Sequence, residues 1–207
     1  MHRRNAGSYF RRGPVREPYD RVLIVCEGEK TEPFYFRGLR SVHRLSSANV
    51  VVTPANGSDP ISIVNYAEAR LGEYERVYCV FDRNGHQNYD EAVRLVAQSA
   101  AGRARKLIAI TSWPCFEFWL LLHFRYSDAP FARTGRRSAS DVALHQLTQL
   151  FPEYQKKLED VYERLRPRYA TACQHATRLQ RANSRTQSQN PSTRVHELVN
   201  DLLGLKG

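Results

Sequence analysis

The chain has 207 residues and a formal net charge of +10, from 31 Lys and Arg against 21 Asp and Glu. That length suits one core domain with at most a small appendage, and 42% hydrophobic with 25% charged residues excludes a chain disordered throughout. No apolar stretch reaches the roughly 18 residues of a membrane span, and the arginine-bearing N-terminus lacks a hydrophobic signal region, so a cytoplasmic protein with no membrane partner is expected.

Residues 1–19 show no apolar period and are broken by Gly7, Gly13, Pro14 and Pro18, which predicts a basic flexible arm. Residues 20–125 read as the core. A strand is expected at 21–26, where Val22-Leu23-Ile24-Val25-Cys26 runs into Glu27-Gly28-Glu29-Lys30-Thr31-Glu32. A helix follows with Thr31 as N-cap, Glu32 and Pro33 in its first turn, and Phe36, Leu39 and His43 along one face. Asn49 to Thr53 is the second strand. Ser58 or Asp59 then caps a helix with Pro60 in its first turn and Ile61, Val64 and Leu71 on one stripe. Val77 to Asp82 is the third strand, Asp90 to Ala101 a helix with Val93, Val96, Ala97 and Ala100 inward, and Lys106 to Thr111 the fourth strand. The alternation predicts an α/β fold, a parallel sheet flanked by helices. After it the strands stop. An apolar helix over 116–124, opened by Pro114, leads into an Arg- and Ser-rich loop over 127–140. Further helices are expected near 140–150, 153–165, 168–182 and 192–203, so 126–207 reads as an all-helical extension packed on the core.

The chemistry gathers at strand ends. In an open α/β sheet the carboxyl ends of neighbouring strands face a common crevice, and Glu27 and Asp82 each close a strand. Carboxylates collected there repel one another unless a cation lies among them, and hard oxygen ligands select Mg²⁺ or Mn²⁺. Glu27 reads as a metal ligand or general base, or else as a surface carboxylate, and Gly28 beside it permits a sharp turn and close approach. Glu32 is either part of this cluster or an acid favoured by the helix N-terminus. Lys30 would contact phosphate or pair with Glu27 or Glu29. Asp82 and Asn84, alternate residues of an extended segment, can share a ligand, while His86 either assists or is plain surface.

Glu117 is the one acid in its apolar helix, in the first turn after the fourth strand. It is either a further metal ligand or base, or a structural acid paired with an arginine. His123 lies nearly opposite on a helical wheel and is not expected to join it. Cys26, Cys79, Cys115 and Cys173 form no C-x-x-C pair and read as reduced thiols. Arginines recur in bunches, among them Arg133, Arg136 and Arg137, then Arg178, Arg181 and Arg185; with Arg83 they suit phosphate binding, so nucleic acid is the expected partner against a merely solvated basic surface. Asn190-Pro191-Ser192-Thr193 reads as a helix start, with phosphate binding at that terminus left open.

Four segments, in order, resemble the RloB-like family: Cys26-Glu27-Gly28-Glu29-Lys30-Thr31-Glu32-Pro33-Phe34-Tyr35-Phe36; Val80-Phe81-Asp82-Arg83; Trp113-Pro114-Cys115-Phe116-Glu117-Phe118-Trp119-Leu120-Leu121-Leu122-His123; and Asn190-Pro191-Ser192-Thr193. The resemblance implies a TOPRIM-type fold, with Glu27 in the Glu-Gly position after the first strand and Asp82 as the first residue of the Asp-x-Asp position. Asn84 stands where the second aspartate is found, one negative charge fewer at the site. The implied function is a Mg²⁺-dependent nuclease cleaving RNA or DNA in bacterial anti-phage defence, alongside a partner ATPase or restriction–modification genes. Glu27, Lys30, Asp82 and Glu117 would be catalytic, and Glu27, Asp82, Asn84 and Glu117 would bind the metal. The alternative is a degenerate, non-catalytic TOPRIM module that binds nucleic acid or the ATPase.

Overall fold

The computed structural model describes residues 20–205 apart from Ala48, Asn56, Ser58 and Asn84; the basic arm, Ser58 as a cap and Asn84 as a ligand lie outside the described residues. The alternating pattern produces β1 (Val22–Cys26), α1 (Thr31–Val42), β2 (Val50–Pro54), α2 (Pro60–Glu68), β3 (Arg76–Asp82), α3 (Tyr89–Gln98), the single turn α4 (Ala100–Arg103) and β4 (Leu107–Trp113). Then come α5 (Phe116–Leu121), α6 (Ala139–Leu150), α7 (Val161–Leu165), α8 (Tyr169–Thr186), β5 (Ser192–Thr193) and α9 (Val195–Gly204). The sheet order is β2-β1-β3-β4-β5, with the first four strands parallel and β5 antiparallel to β4. The fold is α/β and TOPRIM-like, with a helical C-terminal region that returns one short strand to the sheet.

Pleating sends alternate side chains to opposite faces, and both faces are covered. Ile24, Cys26, Tyr78, Val80, Ile108 and Ile110 pack under α1 and the helices from α5 onward, while Leu23, Val25, Val77, Cys79, Phe81 and Ala109 pack under α2 and α3. Tyr35 of α1 is the hub of the first layer. Its ring meets Phe36, Phe116, Trp119 and Tyr162 edge-on, with centroids 5.2–6.4 Å apart. Each such pair adds about 0.5–1.5 kcal/mol beyond burial, and together they fix α1 and α5 relative to each other. The N-termini of both helices face the carboxyl edge of the sheet.

Arginines close the sheet's flanks. In β2 the carbonyl of Asn49 turns inward to Val22 N, so Val50 and Val52 present theirs outward; Arg40 Nη1 and Arg37 Nη2 donate to them at 3.0 and 3.4 Å. On the other side Arg194 donates its backbone N–H to Thr111 O and its Nη1 to Ala109 O, at 3.0 and 2.8 Å. Part of the arginine excess is therefore structural.

Three expectations are corrected. The inward stripe of α2 is Pro60, Ile63, Val64 and Ala67, and that of α3 is Tyr89, Ala92 and Val96, with Ala97 and Ala100 exposed. The helix expected over 153–165 forms only as α7; residues 152–160 are turns, which carry Tyr154 inward to Glu117. Ser192-Thr193 is not a helix start but β5, pairing Thr193 with Ser112 and Ser192 with Trp113, and α9 begins at Val195. Asn190 instead grips Phe131: its Oδ1 accepts from Phe131 N at 3.0 Å and its Nδ2 donates to Phe131 O at 2.8 Å. All four cysteines are free, three of them buried. No helix among the described residues is long and apolar enough to cross a membrane.

Candidate functional site

The register sets Cys26 opposite Val80 and Asp82 opposite Ser112, so β1 ends two residues before β3 and β4 one residue beyond it, all at the same edge of the sheet. Glu27 leaves β1 with its backbone N–H on Val80 O, and its carboxylate turns toward β3, where Oε2 accepts from Asp82 N at 2.9 Å. Its other oxygen, Oε1, lies 2.9 Å from His86 Nε2. His86, read from sequence as possible surface, thus orients the first acid. Asp82 is 8% exposed and its Oδ2 accepts from Phe116 N at 2.9 Å. Cys115 gives α5 no side-chain cap, so Asp82 supplies from the sheet the acceptor that a helix N-terminus needs.

Glu117 follows in the first turn of α5, 5% exposed. Tyr154 OH donates to its Oε1 at 3.1 Å, and Lys156 Nζ stands 3.9 Å from the same atom. The acid is therefore partnered by a tyrosine and a lysine rather than by an arginine. Thr31 ties that turn segment to α1, its hydroxyl lying 3.4 Å from Tyr154 OH and 3.3 Å from Lys156 O. His123 is buried away from the acids, with Nδ1 3.1 Å from Trp119 O, and burial pushes it down to about 4.

These residues enclose a cavity of about 410 Å³ lined by Glu27, Glu32, Asp82 and Glu117, with Lys30, Glu29, Ser140, Asp141 and Lys156 toward its mouth. Glu32 is the member that sequence undervalued: it is 7% exposed, and a Cβ on Gly28 would collide with its Oε2. A side chain at Gly28 would thus displace the Glu32 carboxylate from its place at the cavity. Burial pushes Glu32 up to about 7; a backbone hydrogen bond opposes this, repulsion from Glu117 and Glu27 adds to it, and Lys156 draws it back. Burial also holds Asp82 well above the usual carboxylate range, reinforced by Glu32, Glu27 and Glu117 and opposed by the bond from Phe116 N.

The basic residues divide. Lys30, Arg136 and Arg137 are exposed, and Asp141, lowered mainly by hydrogen bonds from Ser138, also feels Lys156 and Arg137, which puts both cations near the cavity mouth. Arg83 does not line the cavity; its guanidinium lies 4.9 Å from the ring centres of both Tyr89 and Trp113 and 2.7 Å from Asp90. Arg178, Arg181 and Arg185 line a separate cleft on α8.

A TOPRIM-type site implies a divalent cation. The charge balance fits one: six carboxylates and two lysines line the cavity, two of the buried acids are pushed toward protonation, and Lys156, 3.9 Å from Glu117, has a side chain 67% exposed. The donors are all hard oxygens. Among the described residues no three His, Cys, Asp or Glu side chains are already gathered as a ligand set; hydrogen bonds engage their oxygens instead.

An acidic cavity at the carboxyl edge of a TOPRIM-like parallel sheet defines the class. The family model described as RloB-like protein matches residues 22–202, and the chain belongs to that family. No curated protein and no solved structure gives a significant match.

Proposed function

We propose that this protein is a Mg²⁺- or Mn²⁺-dependent nuclease that hydrolyses phosphodiester bonds of RNA or DNA. The observation that carries the reading is the uncompensated acidic cavity, in which burial and mutual repulsion drive Glu32 and Asp82 toward protonation. Glu27, Asp82 and Glu117 would hold the ion, with Asn84 contributing a neutral oxygen. A bound divalent ion supplies polarisation of the phosphodiester. His86 and the Asp82 N–H keep Glu27 in place, and Tyr154 and Lys156 keep Glu117 in place. Lys30 and Lys156, at the cavity, are suited to meet phosphate charge, while Arg133, Arg136 and Arg137 on the loop before α6 hold the backbone. The cytoplasmic setting, the anti-phage role and a partner ATPase rest on the family resemblance.

A non-catalytic TOPRIM module is the second reading. It is favoured by the engagement of both Glu27 oxygens in hydrogen bonds and by Asn84 in place of an acid. Calorimetric titration with Mn²⁺, followed by incubation with total cellular RNA and plasmid DNA, separates the two. The nuclease reading expects metal binding that Glu27→Ala and Asp82→Ala abolish, and metal-dependent cleavage. Metal binding without cleavage, alone or with the ATPase, selects the module; absence of metal binding sinks the metal mechanism.

A further inference from the structure

Several arginines of the described chain are already engaged. Arg76, Arg83, Arg164 and Arg194 each face an acid, and Arg37 and Arg40 cap strand carbonyls. Arg181 and Arg185 are exposed and have no acidic partner among the described residues. With Arg178 they occupy positions i, i+3 and i+7 of α8, one face of the helix. From Arg178 to Arg185 the helix rises about 10 Å. That length lets the helix face meet more than one backbone phosphate.

That face forms one wall of a cleft of about 740 Å³, whose other wall is Tyr126 and Asp128 on the chain leaving α5. The Arg178 guanidinium lies 3.9 Å over the Tyr126 ring, and the Tyr126 hydroxyl donates to Asp128 at 3.1 Å. Among the described residues Asp128 is the one acid lining the cleft and it is engaged, and one arginine stands over an aromatic ring. The cleft shares no lining residue with the acidic cavity: the cavity lies at the N-terminus of α5, and the cleft beyond its C-terminus.

We propose that this cleft is an exosite that grips the backbone of a single-stranded polynucleotide away from the acidic cavity. The inference rests on the nucleic-acid reading above and adds a second, separate contact. Basic grooves with an aromatic wall track single strands through phosphate contacts and sequence-tolerant stacking. Charge is what favours a polyanion over a partner protein: three arginines line the cleft against the single acid Asp128, and Gln174 and Thr177, within the turn before Arg178, add neutral polar groups.

Fluorescence anisotropy in EDTA, with a labelled single-stranded RNA of about a dozen nucleotides, tests the exosite apart from catalysis. The arms are the same sequence as single-stranded DNA, as duplex, and a polyglutamate control. Arg181→Ala/Arg185→Ala is expected to weaken single-strand binding at least tenfold with an unchanged thermal midpoint. The slope of log K against log salt should fall by about 1.4, two contacts at roughly 0.7 each. Arg181→Lys/Arg185→Lys should retain most of that slope. If the wild type binds and the double alanine variant matches it in affinity and slope, the exosite is refuted while the nuclease reading stands. Loss confined to duplex or to polyglutamate assigns the cleft to another partner and also refutes it. A wild type that binds no nucleic acid in EDTA refutes the exosite and leaves the metal-dependent reading to the Mn²⁺ titration, and one that binds here yet fails that titration overturns only the metal reading.

Discussion

Glu32→Gln should make the metal-free protein more stable at alkaline pH than the wild type, by an amount that grows with pH. Glu32 has an ordinary value of 4.5 in the unfolded chain and is pushed up to about 7 in the fold, mainly by burial. Between those values the unfolded chain releases a proton that the folded protein retains, so stability falls as pH rises through that window and the loss is complete above it. Integrating the linkage gives a cost that is small at pH 5 and grows by roughly 2–3 kcal/mol by pH 8. Glutamine keeps the shape but does not titrate. Any constant cost of burying its amide cancels when the two pH values are compared. Asp82, relieved of one repelling neighbour, shifts in the same direction. For a chain of this size the variant's advantage in thermal midpoint should widen by about 5–10 °C between the two pH values. Urea unfolding of both proteins in EDTA at pH 5 and pH 8 measures it. A difference in unfolding free energy that is the same at both pH values would refute the claim that an uncompensated carboxylate is buried here.

Gly28→Ala puts a Cβ where Glu32 Oε2 stands, so the carboxylate must swing aside; it should weaken Mn²⁺ binding with a stability loss of no more than about 1 kcal/mol, which calorimetry and thermal unfolding read. His86→Ala leaves Glu27 held by the Asp82 N–H alone. It should lower Mn²⁺ affinity about 10–100-fold, the usual effect of losing an orienting partner, with little change in thermal midpoint. Asn84→Asp restores a second acid two residues after Asp82 and should raise Mg²⁺ affinity; unchanged titration curves would place Asn84 away from the ion.

The strands and the three leading acids were legible because short-range patterns determine them. Glu27, Asp82 and Glu117 each end or follow an apolar run, and a parallel sheet brings such ends together. Glu32 was ambiguous because an acid in a first helical turn has a local explanation, and only its packing against Gly28 shows that it faces the cavity. Tyr154 and Lys156 could not be read: they lie in a stretch whose local pattern favours helix, and turns form there because burying Tyr154 beside Glu117 outweighs propensity. His86 carried a weak signal, a histidine four residues beyond a strand-end acid. The Asn190 segment misled because Asn-Pro-Ser fits a helix cap as well as it fits an edge strand.

The arginines along the sheet's flanks restrict how this protein can assemble. A strand arriving from another chain extends a sheet by taking its outward carbonyls. Here those of Val50, Val52, Ala109 and Thr111 are already bonded to Arg40, Arg37 and Arg194. Joining by shared sheet would require stripping these bonds first. A second chain would therefore have to dock through helices and loops rather than by extending the sheet.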